Sequence, residues 1–177
     1  MVQTTIKRLI RDVPDFPKPG ILFKDVTPLL ADPGAMREVV EALAAPYMKD
    51  GRPTVDRVLG IESRGFIFGT PVAQLLGVGF SPIRKPGKLP WKTVSESYAL
   101  EYGEDRIELH QDAVSTGERV LIVDDLLATG GTLSAACRLV ERLGGTVAAC
   151  AVVIELGFLD GRARLGPKQP LHALVCY

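Results

Sequence analysis

Asp124 and Asp125 stand side by side in "VLIVDDLLATGGT", Val120 to Thr132, and the turn Thr129-Gly130-Gly131-Thr132 follows four residues later. The two halves of this stretch favour opposite charges. Carboxylates accept hydrogen bonds from hydroxyl groups and stabilise positive charge. A glycine turn opening a helix offers free backbone N–H groups and the positive end of the helix dipole, which hold an anion. A sugar phosphate satisfies both, with vicinal hydroxyls for the acids and a phosphate for the turn. If the anomeric bond breaks, positive charge grows on the sugar ring, and nearby carboxylates stabilise that transition state more than the ground state. Gly130 and Gly131 permit close approach, and Thr129 and Thr132 can add hydroxyl donors. Taken alone, a glycine pair ahead of a helix marks a simple tight turn just as well. The acid pair at a strand end makes it a candidate site. It is not a P-loop, because G-x-x-x-x-G-K-[ST] is absent and no lysine follows the glycines.

Other charged residues have blander readings when judged singly. Ser63 and Arg64 in "ESRGF" could donate to an anion, or Arg64 could be a surface arginine at a helix start. Arg84, Lys85 and Lys88 in "RKPGKLP" read as a solvated basic loop. Glu101 in "YALEYG" reads as an exposed strand glutamate, and Leu22 and Leu156 as core. His110 and His172 are too isolated to suggest a metal site or a general base; they belong to a hairpin and to the C-terminal tail, respectively.

These residues need a frame. "RVLGIES", "GFSPIRK", "RVLIVDD" and the nearly unbroken apolar "TVAACAVVIEL" read as strands. "DPGAMREVVEALAAPYMKD" opens with an Asp N-cap and a proline at the first helical position. Its Met36, Val39, Val40 and Leu43 recur at helical spacing. "GFIFGTPVAQLLG" is a second helix. "GTLSAACRLVERLGG" is a third, with Leu133, Ala136, Cys137, Val140 and Leu143 on one face. Such strands alternating with helices predict βαβ units around a parallel sheet covered on both faces, and ligands of open α/β sheets bind beyond the strands' carboxyl ends. The proline-rich "RDVPDFPKPG" is expected to be an irregular, exposed lead-in. "RKPGKLPWKTVSES" is expected to be a long polar loop, of a length more often functional than accidental. "YALEYGEDRIELH" after it is expected to form a β-hairpin turning at Gly103 to Asp105.

The chain has 177 residues, enough for one domain spanning 1–177, with 46% hydrophobic and 24% charged residues. Lys plus Arg equals Asp plus Glu at 21 each, so no global field draws in nucleic acid or an anionic membrane; any anion site is local. No apolar run approaches the roughly 20 residues needed to span a bilayer. "MVQTTIKRLI" is too short and too polar for a signal, and a reducing cytoplasm is the expected compartment. Cys137, Cys150 and Cys176 lie far apart in apolar contexts and read as buried, reduced thiols.

A strand, two acids and a T-G-G-T turn resemble the phosphoribosyl pyrophosphate (PRPP) motif of type I phosphoribosyltransferases. "DFPKPGILFKDVTPLL", "IESRGFIFG", "IRKPGKLP", "YALEYG" and "VDDLLATGGT" together resemble the adenine phosphoribosyltransferase family, in that family's order, over most of Asp15 to Arg162. The resemblance implies an α/β fold of the type I phosphoribosyltransferase kind. A parallel sheet would be flanked by helices on both faces, with a small N-terminal hood (1–31) and a flexible loop and hairpin (86–110) over the site. It implies conversion of adenine and PRPP to AMP and pyrophosphate, with the sugar's phosphate on Ala128, Thr129, Gly130, Gly131 and Thr132. Pyrophosphate would meet Ser63, Arg64, Arg84, Lys85 and Lys88, Arg84 from a partner subunit of a homodimer. Mg2+ would bridge pyrophosphate and ribose oxygens, with no dedicated protein cage. Adenine would lie among Leu22, Phe23, Lys24 and Leu156, with the backbone at Lys24 reading its amino-bearing edge. Lys24 is a departure, since the family often carries arginine there.

By the same resemblance Glu101 is the acid–base residue beside the imidazole half of adenine, and Asp124 and Asp125 are the catalytic acid pair. The loop beyond Arg84 closes over the site and excludes water. Pro86, Gly87 and Pro90 keep it irregular, and Trp91 is expected to pack at its base. Two alternatives stay open: a phosphoribosyltransferase for hypoxanthine, guanine or xanthine, and a PRPP-sensing regulator that binds nucleic acid. The chain has no residues to spare before Asp15 for a DNA-binding segment and no net charge, which weighs against the regulator.

Overall fold

In the computed structural model, which describes residues 2–99, 104–167 and 169–177, the chain opens with a helix α1 (Val2–Leu9). Val2, Ile6 and Leu9 recur along one face and pack on the core, with Ile6 fully buried. The proline-rich lead-in is only partly irregular: β1 (Arg11–Pro14) pairs antiparallel with β2 (Leu22–Asp25), Val13 opposite Phe23. A two-stranded ribbon is all edge, which is where proline is tolerated in a sheet. The connecting turn is tied by the Gly20 amide donating to Asp15 Oδ1 at 2.8 Å.

A short α2 (Thr27–Ala31) leads to α3 (Pro33–Ala44). Asp32 caps α3 as its sequence predicts, accepting from the amides of Gly34 and Ala35, each at 2.9 Å. A small ribbon of β3 (Met48–Lys49) and β4 (Arg52–Pro53) precedes β5 (Arg57–Ile61), α4 (Arg64–Leu76) and β6 (Gly79–Ile83). Next come the hairpin strands β7 (Thr93–Ala99) and β8 (Glu104–His110), then β9 (Arg119–Leu127), α5 (Gly131–Arg142) and β10 (Thr146–Glu155). A five-residue α6 (Gly161–Leu165) and β11 (Leu171–Cys176) complete the order.

Five strands form one parallel sheet in the order β11-β10-β9-β5-β6. Both faces are apolar, which is why its central strands read as unbroken hydrophobic runs. In β9, Leu121 and Val123 join the core under α1, α3 and α4, while Val120 and Ile122 join the core under α5 and the hairpin. Among the described residues no helix is long and apolar enough to cross a membrane.

Several local expectations are corrected. The strand at Thr93–Ala99 takes in "TVSES", expected to be loop; its Val94 and Tyr98 pack on the core beside α5, and Arg138 and Arg142 of α5 bond Glu96 and the carbonyls of Ser97 and Ser95. Glu104 and Asp105 are strand residues opposite Ala99 and Tyr98, so the turn does not run from Gly103 to Asp105. Strand β9 continues past the acid pair because Leu126 and Leu127 pair with Ile154 and Glu155. His172 lies in β11 of the main sheet rather than in a tail. Trp91 is 63% exposed and does not pack at the loop's base. Cys137 and Cys150 are buried as expected, with their Sγ atoms 3.7 Å from each other although far apart in sequence, whereas Cys176 is exposed and not the buried thiol expected.

Candidate active site

The acid pair, the glycine turn and the β5–α4 loop meet at the carboxyl ends of β5 and β9. They enclose a cavity of about 350 Å³ lined by Ile61 to Arg64, Lys85, Tyr98 and Asp124 to Leu133. Of the residues expected to hold the sugar phosphate and pyrophosphate, this brings together Ser63, Arg64, Lys85, Ala128, Thr129, Gly130, Gly131 and Thr132, with the expected catalytic acids Asp124 and Asp125 beside them.

The turn is possible because Gly130 sits at φ +78°, in the left-handed region that side chains avoid. It hands the chain straight into α5, whose first amides have no intrahelical acceptor. Close approach matters as much as φ. A Cβ at Gly130 would lie 2.3 Å from the carbonyl oxygen of Gly161.

The acids differ. Asp125 is buried, and its carboxylate is paired with the Arg64 guanidinium. Asp124 keeps partial access to the cavity and accepts the Asp125 amide at 2.9 Å. Loss of hydration, and then the Asp125 carboxylate beside it, hold the Asp124 carboxyl well above the ordinary aspartate value of 3.8. The folded protein therefore keeps this proton at pH values where the unfolded chain has lost it. Stability from this group falls as pH rises from about 3.8 towards the raised folded value. Asp124→Asn accordingly raises Tm at pH 7 by about 2–4 °C. The gain shrinks as pH falls towards 3.8 and is lost well below it, where aspartate is neutral in both states. A pH series of thermal melts checks this, and a lowered Tm at pH 7 would contradict it.

Arg64, Lys85 and Arg84 each have an anionic partner. Arg64 holds Asp125. Lys85 holds Asp105 and donates to the Tyr98 hydroxyl at 3.1 Å, and that hydroxyl donates to Asp105 at 2.9 Å. Burial opposes the Lys85 charge, but Asp105 and Tyr98 outweigh it and raise its pKa. Arg84 contacts Glu62 at 3.2 and 3.3 Å and the Lys88 carbonyl at 3.0 Å. Burial pushes Glu62 up, but the Lys85 amide and Arg84 overcome it and leave its pKa lowered. Arg84 and Lys88 are not among the residues lining the cavity. Sequence reasoning missed Glu62, Tyr98 and Asp105, although "IESRGF" and "YALEYG" contain the first two.

Leu22, Phe23, Lys24 and Leu156 also lie outside the lining of this cavity. Phe23 nevertheless stacks within 5.5 Å of the Arg64 guanidinium and meets Phe16 edge-on at 5.1 Å, which brings the β1–β2 ribbon to the cavity's edge. Leu22 and Phe16 are each 50% exposed, so Leu22 is no core residue. The Lys24 ammonium is engaged by Asp12 at 2.6 Å and sits 3.9 Å from the Tyr177 ring centroid. Leu156 is partly buried and its amide donates to the Leu127 carbonyl at 2.9 Å, on the strand that carries the acids. Glu101 lies outside the described residues.

Comparison with known proteins matches this geometry. The model of the phosphoribosyl transferase domain matches residues 27–171. An adenine phosphoribosyltransferase from a Nocardioides species is 64% identical over 94% of this chain and 90% of its own length. One from an Anaeromyxobacter species is 57% identical over 97% of this chain and 95% of its own. The crystal structure of adenine phosphoribosyltransferase from Thermoanaerobacter pseudethanolicus superposes with a TM-score of 0.93 at 51% identity, covering 99% of each chain. That of the Saccharomyces cerevisiae enzyme, complexed with an iminoaltritol bisphosphate and adenine, gives 0.90 at 39% identity, covering 98% of each chain. The five-stranded parallel sheet with helices on both faces is thus the type I phosphoribosyltransferase fold, and the chain belongs to the phosphoribosyltransferase family, among the adenine phosphoribosyltransferases.

Proposed function

We infer that the chain transfers the phosphoribosyl group of PRPP to adenine, releasing pyrophosphate and forming AMP. It is a pentosyltransferase. The observation that carries the chemical reading is the convergence of the acid pair, the T-G-G-T turn and the Ser63–Arg64 loop on one cavity. Amides of Ala128 to Thr132 and the threonine hydroxyls hold the sugar's phosphate. Asp124 and Asp125 take the ribose hydroxyls. Ser63, Arg64 and Lys85 receive the pyrophosphate, with Lys88 approaching from the loop beyond and Arg84 from a partner subunit. A ring nitrogen of adenine bonds to the anomeric carbon as the bond to pyrophosphate breaks. The electron pair leaves with pyrophosphate, and positive charge on the ribosyl ring passes under the carboxylates.

Besides Glu62, the acid pair supplies the only carboxylates lining the cavity among the described residues, and no group of three or more His, Cys, Asp or Glu gathers there as a metal cage. That donor set fits magnesium bound chiefly through substrate oxygens and water, and Asp124, which has partial access to the cavity, would be the acid facing it. Magnesium, when bound, neutralises charge on pyrophosphate.

Adenine lies between the β1–β2 ribbon and Leu156, with Leu22 and Phe23 as apolar walls and the Lys24 backbone reading its edge. The engagement of the Lys24 side chain by Asp12 and Tyr177 supports a backbone reading, which survives exchange of arginine for lysine. The N-terminal segment to residue 31 acts as hood, and the loop and hairpin of residues 86–110 as lid over the single domain. Arg84, held by Glu62 at the cavity's edge, serves the pyrophosphate of a second copy in a homodimer; a monomeric mass by light scattering would refute that. The working compartment is the reducing cytoplasm, in keeping with three free thiols.

Glu101 exchanges a proton with the imidazole half of adenine, making the opposite ring nitrogen a better nucleophile. Glu101→Gln lowers kcat about 10²–10⁴-fold and leaves the PRPP Kd within about threefold. Near-normal turnover in that variant removes Glu101 from the mechanism. The function itself is tested by incubating the protein with PRPP, magnesium and adenine, omitting each in turn. AMP forms only in the complete mixture. Equal or faster reaction of hypoxanthine or guanine would overturn the substrate assignment.

A further inference from the structure

One ion pair unused by this scheme stands directly behind the phosphate turn. Glu155 closes β10 as one of the few buried charged residues. Arg162 grips it with both prongs of the guanidinium, Nε to Oε1 at 2.9 Å and Nη2 to Oε2 at 2.6 Å, and donates from Nη1 to the Leu171 carbonyl at 3.3 Å. Fork-to-fork pairs of this kind fix orientation as well as charge. Arg162 also follows Gly161, the residue that touches the turn. A Cβ at Gly161 would lie 2.1 Å from the Ala128 carbonyl oxygen and 3.0 Å from the Gly130 nitrogen, so the two backbones meet with no side chain between them.

This contact needs an outside anchor. Helix α6 has five residues, too few to be stable alone. Asp160, which enters it, holds φ +49°, costly for a residue with a side chain. Gly130 across the contact is left-handed too. Leu165 packs the far end of α6 into the core beside α5, and the Glu155–Arg162 pair ties its start, next to Gly161, to the end of the central sheet.

We propose that Arg162 is a positioning residue for PRPP: clamped by Glu155, it seats the Asp160–Gly161 backbone under Ala128 to Gly130 and so fixes the anion-binding amides. The proposal rests on the reading that this turn holds the sugar's phosphate. It goes beyond that reading by assigning the turn's geometry to a side chain that touches no substrate.

Arg119 supplies the control. It grips Asp56 in the same two-pronged way, at 3.0 and 2.8 Å, but at the opposite end of β9. Amide hydrogen exchange across residues 128–133 and steady-state kinetics are compared for wild type, Arg162→Ala, Arg162→Lys and Arg119→Ala. In Arg162→Ala the turn exchanges faster and the KM for PRPP rises about tenfold, with kcat within about threefold. Arg162→Lys, which keeps the charge and loses the fork, falls between it and wild type. Arg119→Ala leaves both unchanged. If Arg162→Ala does not fold, Arg162→Lys and Glu155→Gln carry the test. A turn and a PRPP KM as in wild type, in whichever variants fold, overturn the proposal. Faster exchange in a protein whose wild type makes no AMP leaves the brace standing and the functional reading fallen.

Discussion

Gly130→Ala cuts kcat/KM for PRPP by about 10²–10³-fold while the protein keeps its fold. Two costs meet at this position. A side chain at φ +78° is disfavoured by about 1–2 kcal/mol. The new methyl group would also lie 2.3 Å from the Gly161 carbonyl, which is backbone and cannot rotate away. The turn must therefore move, and donors moved by a fraction of an ångström no longer match the phosphate they face. Circular dichroism should stay native, because the clash is confined to a loop between β9 and α5. PRPP dependence of the initial rate provides the measurement. A rate within threefold of wild type would mean that the turn is not the anion site.

The double variant Asp124→Asn, Asp125→Asn keeps the shape of both side chains but turns one oxygen of each into an NH2 donor and removes the pair's negative charge. Its kcat should fall by about 10³-fold or more, with a much smaller change in PRPP affinity, since the charge it would stabilise develops only as pyrophosphate leaves. The two single variants part company in stability. Asp124→Asn relieves a carboxyl held at a raised pKa, whereas Asp125→Asn strips Arg64 of its buried partner and should lower Tm. Single-turnover rates at saturating PRPP and adenine separate chemistry from binding. Unimpaired chemistry in the double variant would reduce the acids to ribose anchors.

Much of this site was legible because its signals are local. Val120 to Val123 alternate between two apolar cores, so the strand reads clearly, although its last residues, Leu126 and Leu127, run past the acid pair. Asp32 and Pro33 announce α3 in the same way. What could not be read depends on partners far along the chain. "TVSES" looks polar until Arg138 and Arg142 are known to meet its Glu96 and carbonyls. The lead-in at Arg11–Pro14 becomes a strand only because Leu22–Asp25 lies beside it. Cys137 and Cys150 touch because a helix packs on the strand that follows it. The pairing of Lys85 with Asp105, and of Glu155 with Arg162, joins residues whose sequence neighbours give no hint of a partner. Gly161 is the sharpest case. Only the 2.1 Å approach to Ala128 explains why no side chain fits there. Leu22 shows the opposite error, an apolar residue that looks like core and lies half exposed beside the cavity.

A crystal of the protein grown with AMP tests the central claim most directly. The nucleotide's phosphate should rest on the amides of Ala128 to Thr132, its ribose hydroxyls against Asp124 and Asp125, and its base toward Leu22 and Leu156. A phosphate bound elsewhere, or a ribose turned away from both aspartates, would contradict the account.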